Sequence, residues 1–279
     1  MSFKKIFDAL ERKTAENIKA ADNDYIKDGL LHCGKCHTPK QVRIELFGKE
    51  RKPYCLCKCE TEKRDAEIAE LERQKGLQRI KELRKTGFSD TDMQNWTFDN
   101  DDQTNPKVSS IAHKYVENFS KLKVKGKGLL FYGTVGAGKT FISACIANAL
   151  IDQGYPCLVT NFARLTNIIG GMYDGKQEYI DSLNRFTLLV IDDLAAERDT
   201  EYMNEIVFNI IDSRYRSGLP LIITTNLTAQ ELNNPAQISK QRIYSRLFEM
   251  CLPVEIRGTD RRKKELKGNM EEYKSLLGL

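Results

Sequence analysis

Short apolar runs alternate with helical stretches from residue 128 onward. Each run has the length of one strand and is almost entirely apolar, which is typical of strands buried on both faces. The five runs are GLLFY (128–132), PCLVT (156–160), TLLVID (187–192), LPLIITTN (219–226) and CLPVEI (251–256). Strand–helix alternation of this kind predicts an α/β fold with a parallel sheet.

The N-terminal third of the chain has a different pattern. Residues 3–18 place apolar side chains near helical spacing, which predicts an amphipathic helix that packs on its own domain or binds a partner. Residues 61–85 are rich in Glu, Lys and Arg and predict a solvated connecting helix, and the polar stretch 99–106 predicts a loop. These patterns divide the chain into a domain at 1–60, a connecting helix and linker at 61–90, and a domain at 91–279.

Composition indicates a globular protein with a modest basic surplus. Hydrophobic residues make up 41% and charged residues 30% of the 279, enough to bury a core. No apolar run approaches the roughly 20 residues of a membrane helix, and no secretory signal is recognisable, so we expect a cytoplasmic protein without membrane contact. The net charge of +5 comes from residues 1–90. Nucleic-acid contact and a merely solvated surface both explain a surplus of this size.

Residues 133–140 read GTVGAGKT between a predicted strand and a predicted helix, which is the context of a P-loop for a nucleoside triphosphate. Its glycines let backbone N–H groups and the helix N-terminus face phosphate oxygens. We expect Lys139 to reach the β- and γ-phosphates of ATP, and Thr140 to bind Mg²⁺. The expected nucleotide contacts are Gly133, Thr134, Val135, Gly136, Ala137, Gly138, Lys139, Thr140 and Phe141.

Two later strands end in polar side chains that suit ATP hydrolysis. The run LLVIDD ends in Asp192, expected in the second coordination sphere of Mg²⁺, and Asp193, expected to orient or deprotonate the attacking water. The other interpretation of Asp193 is a cap for the next segment. The run LIITTN ends in Asn226, which we expect to bond the γ-phosphate or that water, although asparagine is also a common turn residue.

These motifs, followed by QRIYSRLFEM (241–250) and VEIRGTDRR (254–262), resemble the AAA+ ATPases of the DnaC/DnaI helicase-loader and IstB group over residues 91–279. The resemblance implies an AAA+ P-loop NTPase with a reduced or absent helical lid. It also implies that Arg246 is an arginine finger acting on the neighbouring subunit, hence self-association. Arg262 takes the role of the sensor 2 arginine, with Arg261 as its competitor. Trp96, near the start of the family's ATPase domain, is expected in the core rather than against adenine.

Five of the eight cysteines lie between residues 33 and 59. Clustered thiols in a cytosolic protein indicate a metal site, and C-G-K-C is a zinc-knuckle half-site. The second half, C-L-C-K-C, offers three candidates for two places, and His32 and His37 are further alternatives. The preferred Zn²⁺ ligands are Cys33, Cys36, Cys57 and Cys59. The remaining cysteines, Cys145, Cys157 and Cys251, fall in apolar runs and are expected in the core.

The resemblance implies an ATP-dependent loader of the hexameric replicative helicase, in a bacterium or a phage. The zinc-binding domain would bind the helicase, while the AAA+ domain self-associates and binds single-stranded DNA. The first alternative is an IstB-like ATPase that regulates a transposase on duplex DNA. The second is an adaptor with a vestigial ATPase, which the intact motif residues argue against. Arg214 and Arg216 are interpreted as a solvated helix end rather than part of an interface or DNA path.

Overall fold

A computed structural model describes residues 21, 23–46, 48–195, 200–260, 270 and 274–277. The chain divides into two compact units, Met1–Leu77 and Gln78–Leu279. The helix predicted at 3–18 lies outside the described residues, and the domain boundaries at 60 and 90 stay predictions. In the part of the chain that is described, no helix combines the length and apolar character needed to cross a membrane.

The smaller unit contains two short antiparallel hairpins. Strand β1 (Tyr25–Lys27) pairs with β2 (Leu30–His32), and β3 (Ile44–Leu46) pairs with β4 (Lys49–Arg51). The first hairpin turns through Asp28 and Gly29, both with positive φ, as a two-residue Asp-Gly turn requires. Among the described residues of this unit, only Cys33, Lys40 and Cys57 are buried. The described part of the unit therefore lacks an apolar core.

Helix α1 (Lys58–Thr86) follows the second hairpin and includes the predicted connecting helix. None of its 29 residues is buried. Its surface carries ion pairs one turn apart, such as Lys63 with Glu67, which support an exposed helix by a few tenths of a kcal/mol each, roughly 0.2–0.5. The last part of the helix, from Gln78 onward, belongs to the larger unit, and there Ile80 and Leu83 pack against that unit's own core.

The larger unit is built on a five-stranded parallel sheet, which confirms the predicted α/β fold. The strands are β5 (Gly128–Gly133), β6 (Cys157–Asn161), β7 (Leu188–Leu194), β8 (Leu221–Thr225) and β9 (Cys251–Ile256). Their order across the sheet is β6–β7–β8–β5–β9. Because β8 lies between β5 and β7, the polar end of β8 is placed between the P-loop and the two aspartates.

Helices cover both faces of this sheet. They are α2 (Pro106–Glu117), α3 (Phe119–Val124), α4 (Lys139–Asp152), α5 (Phe162–Gly170), α6 (Lys176–Ser182), α7 (Glu201–Ser217), α8 (Ala229–Asn233) and α9 (Ile238–Met250). Alternate strand residues face opposite sides, so Leu129 and Phe131 belong to one apolar cluster with α2 and α4, while Leu130 belongs to a second cluster with α5, α7 and α9.

Candidate nucleotide site and cysteine cluster

The predicted P-loop joins the end of β5 to the start of α4. Gly133, Gly136 and Gly138 all have positive φ, at 125°, 74° and 94°. A Cβ atom on Gly133 would lie 2.4 Å from the carbonyl oxygen of Ile256 at the end of β9, so only glycine fits there. The hydroxyl of Thr134 bonds both the N–H and the C=O of Gly258, at 3.1 Å each. The loop is thereby fixed against the segment that follows β9.

Lys139 begins α4 and is 5% exposed. Its ammonium group donates to the carbonyl oxygens of Gly133 and Thr134 at 3.0 and 2.7 Å, and to the amide oxygen of Asn226 at 2.7 Å. The predicted phosphate-binding lysine and the predicted polar end of β8 are therefore in direct contact. The strand order explains this contact, because β5 and β8 are neighbours.

Thr140 and Asp192 are also brought together. The Thr140 hydroxyl lies 2.9 Å from each carboxylate oxygen of Asp192. Hydroxyl and carboxylate oxygens are ligands suited to Mg²⁺ or to its bound water. Burial raises the pKa of the Asp192 carboxyl, while hydrogen bonds from Thr224 and Thr140 act in the opposite direction.

Asp193 is exposed at a bulge near the C-terminal end of β7. Its φ of 57° departs from the strand conformation, and the register with β8 shifts between Ile191 and Leu194. Asp and Asn tolerate this left-handed conformation better than most residues. A bulge re-aims a side chain, and both aspartates line the same cleft.

The cleft has a volume of about 1020 Å³. It is lined by P-loop residues, the two aspartates and Asn226, and also by the apolar side chains of Met93, Trp96 and Phe141. Trp96 is partly buried against the core, as expected, and its ring centre lies 6.0 Å from that of Phe141. Trp96 is therefore a core residue that also lines the cleft, so a core position is compatible with a contact to adenine. Val135 of the P-loop is exposed and Ala137 is buried.

Two buried side chains that shape the cleft were not predicted from the sequence. Thr224 donates to the carboxylate of Asp192 and accepts the main-chain N–H of Asp193 at 3.0 Å, so it fixes the Asp192 side chain and the Asp193 backbone. Asn148 donates to the carbonyl oxygens of Met93 and Trp96, both at 2.8 Å. A polar residue within an apolar strand or helix is the signal that could have identified them, because such a residue needs a partner when buried.

Arg246 lies in α9 and contacts its own chain. Its guanidinium forms an ion pair with Asp212 of α7 at 2.6 Å and lies 4.4 Å from the centre of the Phe208 ring. The other oxygen of Asp212 pairs with Arg216 at 2.8 Å. The side chain of Arg246 remains 25% exposed, so part of it faces solvent. Its predicted action on a neighbouring subunit stays a prediction.

The predictions for the other arginines have three different outcomes. Arg216, with a side chain 75% exposed, is the solvated helix end that was predicted. Arg214 is only 1% exposed, so both interpretations of it were wrong. Arg261 and Arg262 lie outside the described residues. The segment that leads to them is nonetheless placed beside the P-loop, since Gly258 bonds Thr134.

Arg214 joins the N-terminal ends of two central strands. It donates to the carbonyl oxygens of Phe186 and Thr187, which precede β7, at 2.9 Å each, and to Pro220, which precedes β8, at 2.7 Å. Burial lowers its pKa to about 10, so it remains charged at neutral pH. A buried charge is tolerated here because several main-chain carbonyl oxygens accept its hydrogen bonds.

Arg214→Met is therefore expected to destabilise the larger unit by about 3 kcal/mol or more, because three carbonyl groups, two buried and one partly buried, each lose a donor at about 1–3 kcal/mol. Thermal unfolding followed by circular dichroism should show a Tm lower by roughly 6–12 °C. Arg216→Met, two residues along the same helix, is the matched control and should change the free energy of unfolding by less than about 0.5 kcal/mol. Equal Tm values for the two variants would contradict the assignment.

Comparison with known proteins matches residues 66–268 to the family described as IstB-like ATP binding protein. This match covers most of the chain. The chain belongs to the IstB-like ATP-binding protein family. The predicted resemblance to the DnaC/DnaI and IstB group is thereby confirmed.

Among similar proteins, the replicative helicase loader DnaI of Bacillus subtilis is 24% identical over 195 residues, which are 64% of this chain and 62% of DnaI. The matched region thus spans less than two thirds of DnaI. A Sinorhizobium fredii protein named as an insertion sequence ATP-binding protein is 32% identical over 133 residues, covering 46% of this chain and 43% of that protein. A crystal structure of DnaI has a TM-score of 0.53 at 23% identity, covering 63% of this chain and 96% of that one, which supports the AAA+ fold.

The cysteine cluster lies before the segment matched to the IstB-like family. Cys33, Cys36, Cys57 and Cys59 have sulfur atoms that all lie within 4.8 Å of one another, with Cys57 and Cys59 at 3.3 Å and Cys33 and Cys59 at 3.6 Å. Four sulfurs around one tetrahedral Zn²⁺, each bonded at about 2.3 Å, stand about 3.8 Å apart. The structure brings together the four preferred ligands at distances that fit zinc.

The alternative ligands are engaged elsewhere in the smaller unit. The Cys55 thiol lies 3.6 Å from the carbonyl oxygen of Pro39. His32 bonds its neighbour Leu30 through Nδ1 at 3.1 Å, and His37 bonds the Tyr25 hydroxyl at 3.2 Å. None of the three belongs to the sulfur cluster.

The four thiols differ in their acidity. A hydrogen bond with the Thr38 hydroxyl lowers the pKa of Cys36 to about 5, and the N–H of Cys36 lowers the pKa of Cys33. Burial raises the pKa of Cys57. The first pair therefore favours the thiolate form that binds metal, and a divalent cation deprotonates a coordinating thiol even where burial opposes it. The four cysteine sulfurs, which lie outside the IstB-like segment, are therefore a ligand set that fits Zn²⁺.

Proposed function

We propose that this protein is an ATP-dependent loader of the replicative DNA helicase onto single-stranded DNA, acting during replication initiation in the bacterial cytoplasm and encoded by a bacterium or a phage. The observation that carries the proposal is the presence, in one chain, of an IstB-like ATP-binding unit and a second unit with four clustered cysteines. The naming of relatives such as DnaI as replicative helicase loaders supports it.

The nucleotide site supports ATP hydrolysis. In this proposal the P-loop backbone and Lys139 bind the phosphates of ATP, while Thr140 and Asp192 hold Mg²⁺ and its water. Bound Mg²⁺ would neutralise charge that develops on the phosphates. Asp193 orients and deprotonates the attacking water, and Asn226 bonds the γ-phosphate. Met93, Trp96 and Phe141 line the same cleft with apolar surface that would suit the adenine ring.

ATP acts as a switch for self-association. Arg246 of one subunit reaches the γ-phosphate held by the next, so bound ATP links two subunits and its hydrolysis releases them. The ion pair with Asp212 and the contact with Phe208 hold Arg246 at the surface of α9 in a defined orientation. Arg262 would serve as the sensor 2 arginine of the same site, because the segment before it lies against the P-loop.

The smaller unit binds the helicase in this proposal, with Zn²⁺ on Cys33, Cys36, Cys57 and Cys59. The test is light scattering after size-exclusion chromatography of the protein, ATP and the hexameric replicative helicase of its source. We expect a complex with the intact chain. A variant with Cys57→Ser and Cys59→Ser should lose the complex yet still bind ATP, which would assign helicase binding to the smaller unit.

The absence of a complex with the intact chain would favour the second candidate function. The similarity to an insertion sequence ATP-binding protein supports that alternative, an ATPase that regulates a transposase on duplex DNA. The two functions differ in the nucleic acid that they require. Fluorescence anisotropy with labelled single-stranded and duplex oligonucleotides, each with ATP, distinguishes them: preference for the single strand supports the loader, and ATP-dependent filaments on duplex support the regulator.

A further inference from the structure

Lys40 is a buried lysine in the smaller unit. It is 6% exposed, and its ammonium group lies between two carboxylates, 2.8 Å from Asp24 and 3.0 Å from Glu60. Burying an ammonium group is costly unless it is closely paired. The described residues of this unit form no apolar core, so they offer little other stabilisation to offset that cost. The position of Lys40 therefore indicates a specific role.

Asp24, one of the two partners of Lys40, contacts the first half of the cysteine cluster. One carboxylate oxygen of Asp24 accepts the N–H of Gly34 at 3.0 Å. Gly34 lies between Cys33 and Cys36, in the short loop that aims both sulfurs. The side chain of Asp24 is only 2% exposed, so water does not compete effectively for this bond. The carboxylate fixes the loop of the first half-site.

Glu60, the other partner of Lys40, contacts the second half of the cluster. One carboxylate oxygen of Glu60 pairs with Lys40, and the other accepts the N–H of Cys57 at 3.1 Å and the hydroxyl of Tyr54 at 2.7 Å. Glu60 directly follows Cys59 in the first turn of α1. The same carboxylate thus fixes the main chain at the start of the second half-site.

We propose that Asp24, Lys40 and Glu60 form a positioning chain that holds the two cysteine pairs at the spacing required for one Zn²⁺ ion. These three side chains connect the backbone of one half-site to the backbone of the other through an unbroken series of hydrogen bonds and ion pairs. The main chain of Lys40 adds a second connection, since its N–H bonds Leu31 and its C=O accepts the N–H of Cys55. Lys40 is a positioning residue, because it acts on the metal through the cysteines.

The test measures zinc affinity of the full chain by competition with a chromogenic chelator. Lys40→Met removes the ammonium group but keeps an unbranched side chain, and should weaken zinc binding by roughly 10–100-fold, the usual effect of losing an outer-shell partner. Lys27→Met, an exposed lysine of β1 in the same unit, is the matched control and should bind zinc like wild type. Lys40→Arg, which keeps the charge, should recover part of the affinity.

A spectroscopic readout separates positioning from general loss of structure. Co²⁺ replaces Zn²⁺ in thiolate sites, and its visible absorption reports the geometry of four sulfur ligands; Lys40→Met should alter that spectrum while ATP binding by the larger unit stays unchanged. If Lys40→Met does not fold, Glu60→Gln breaks one link of the chain without changing side-chain size and should still weaken zinc binding. Zinc affinity within twofold of wild type in a folded Lys40→Met or Glu60→Gln variant would overturn the proposal, as would a wild-type protein that binds no zinc.

Discussion

Asp193→Asn is expected to lower kcat for ATP hydrolysis by roughly 10²–10⁴-fold, the contribution of a positioned general base, while leaving ATP binding nearly unchanged. The amide has the size of the carboxylate but cannot accept a proton from water. The left-handed φ of 57° at this position suits asparagine as well as aspartate, and the N–H bond to Thr224 is retained. Steady-state phosphate release gives kcat, and fluorescence of a labelled ATP analogue gives the Kd.

Asp102→Asn is the control for this substitution. Asp102 lines the same cleft but does not lie on a strand of the sheet, so kcat should remain close to that of wild type. If Asp193→Asn kept more than a tenth of the wild-type kcat, Asp193 would be ruled out as the general base. A large loss of ATP affinity in the same variant would instead assign Asp193 to nucleotide or metal binding.

Arg246→Ala is expected to reduce kcat by roughly 10³-fold, the lower end of the range for an arginine finger. The reason is that Arg246 would supply, from the neighbouring subunit, a positive charge beside the γ-phosphate where negative charge develops. The substitution also leaves Asp212 without one of its two cationic partners, while Arg216 remains paired with it. ATP hydrolysis and ATP-dependent assembly, followed by light scattering, should both be lost.

A mixing experiment decides whether Arg246 acts on its own subunit or on the next one. Lys139→Ala should not bind ATP, but it still carries Arg246. Mixed with Arg246→Ala, it should restore part of the activity, because each mixed pair contains one intact P-loop facing one intact arginine. Arg242→Ala, one turn earlier on α9 and also placed over the Phe208 ring at 4.5 Å, should retain activity alone. A mixture without activity would show that Arg246 acts within its own chain.

The parallel sheet was predictable because each strand is a continuous apolar run. The run 187–192 corresponds to Leu188–Leu194, and the run 251–256 corresponds to Cys251–Ile256. The order of the strands was not predictable from periodicity, since it depends on which helices cover each face. That order placed Asn226 against Lys139, a contact between residues far apart in the sequence.

The residues of the nucleotide cleft were predicted where a local motif defines them. Gly133 to Thr140 form such a motif, but Thr224 does not, because its role depends on the neighbouring strand. Arg214 was misinterpreted for the same reason. Its neighbours in sequence are those of a solvated helix end, and its burial follows from carbonyl groups at positions 186, 187 and 220. Long-range contacts of this kind carry no local signal.

The cysteines show the opposite case. Their spacing limited the possible ligands of the proposed Zn²⁺ ion to a few residues, since two half-sites must meet around one ion. The choice between Cys55 and its neighbours depends on which way each side chain points near the end of the second hairpin, and spacing alone cannot supply that. The sulfur cluster contains Cys57 and Cys59, while Cys55 contacts Pro39.

The contacts of Lys139 make nucleotide binding an exchange of partners. An ammonium group has three N–H donors, and Gly133, Thr134 and Asn226 all accept from this one. A phosphate oxygen that engages Lys139 therefore competes with a protein oxygen already bonded there. The measured affinity for ATP would therefore reflect the difference between phosphate and protein oxygens as acceptors, rather than the full strength of one bond. Once released, the Oδ1 atom of Asn226 would be free to accept a hydrogen bond from the attacking water.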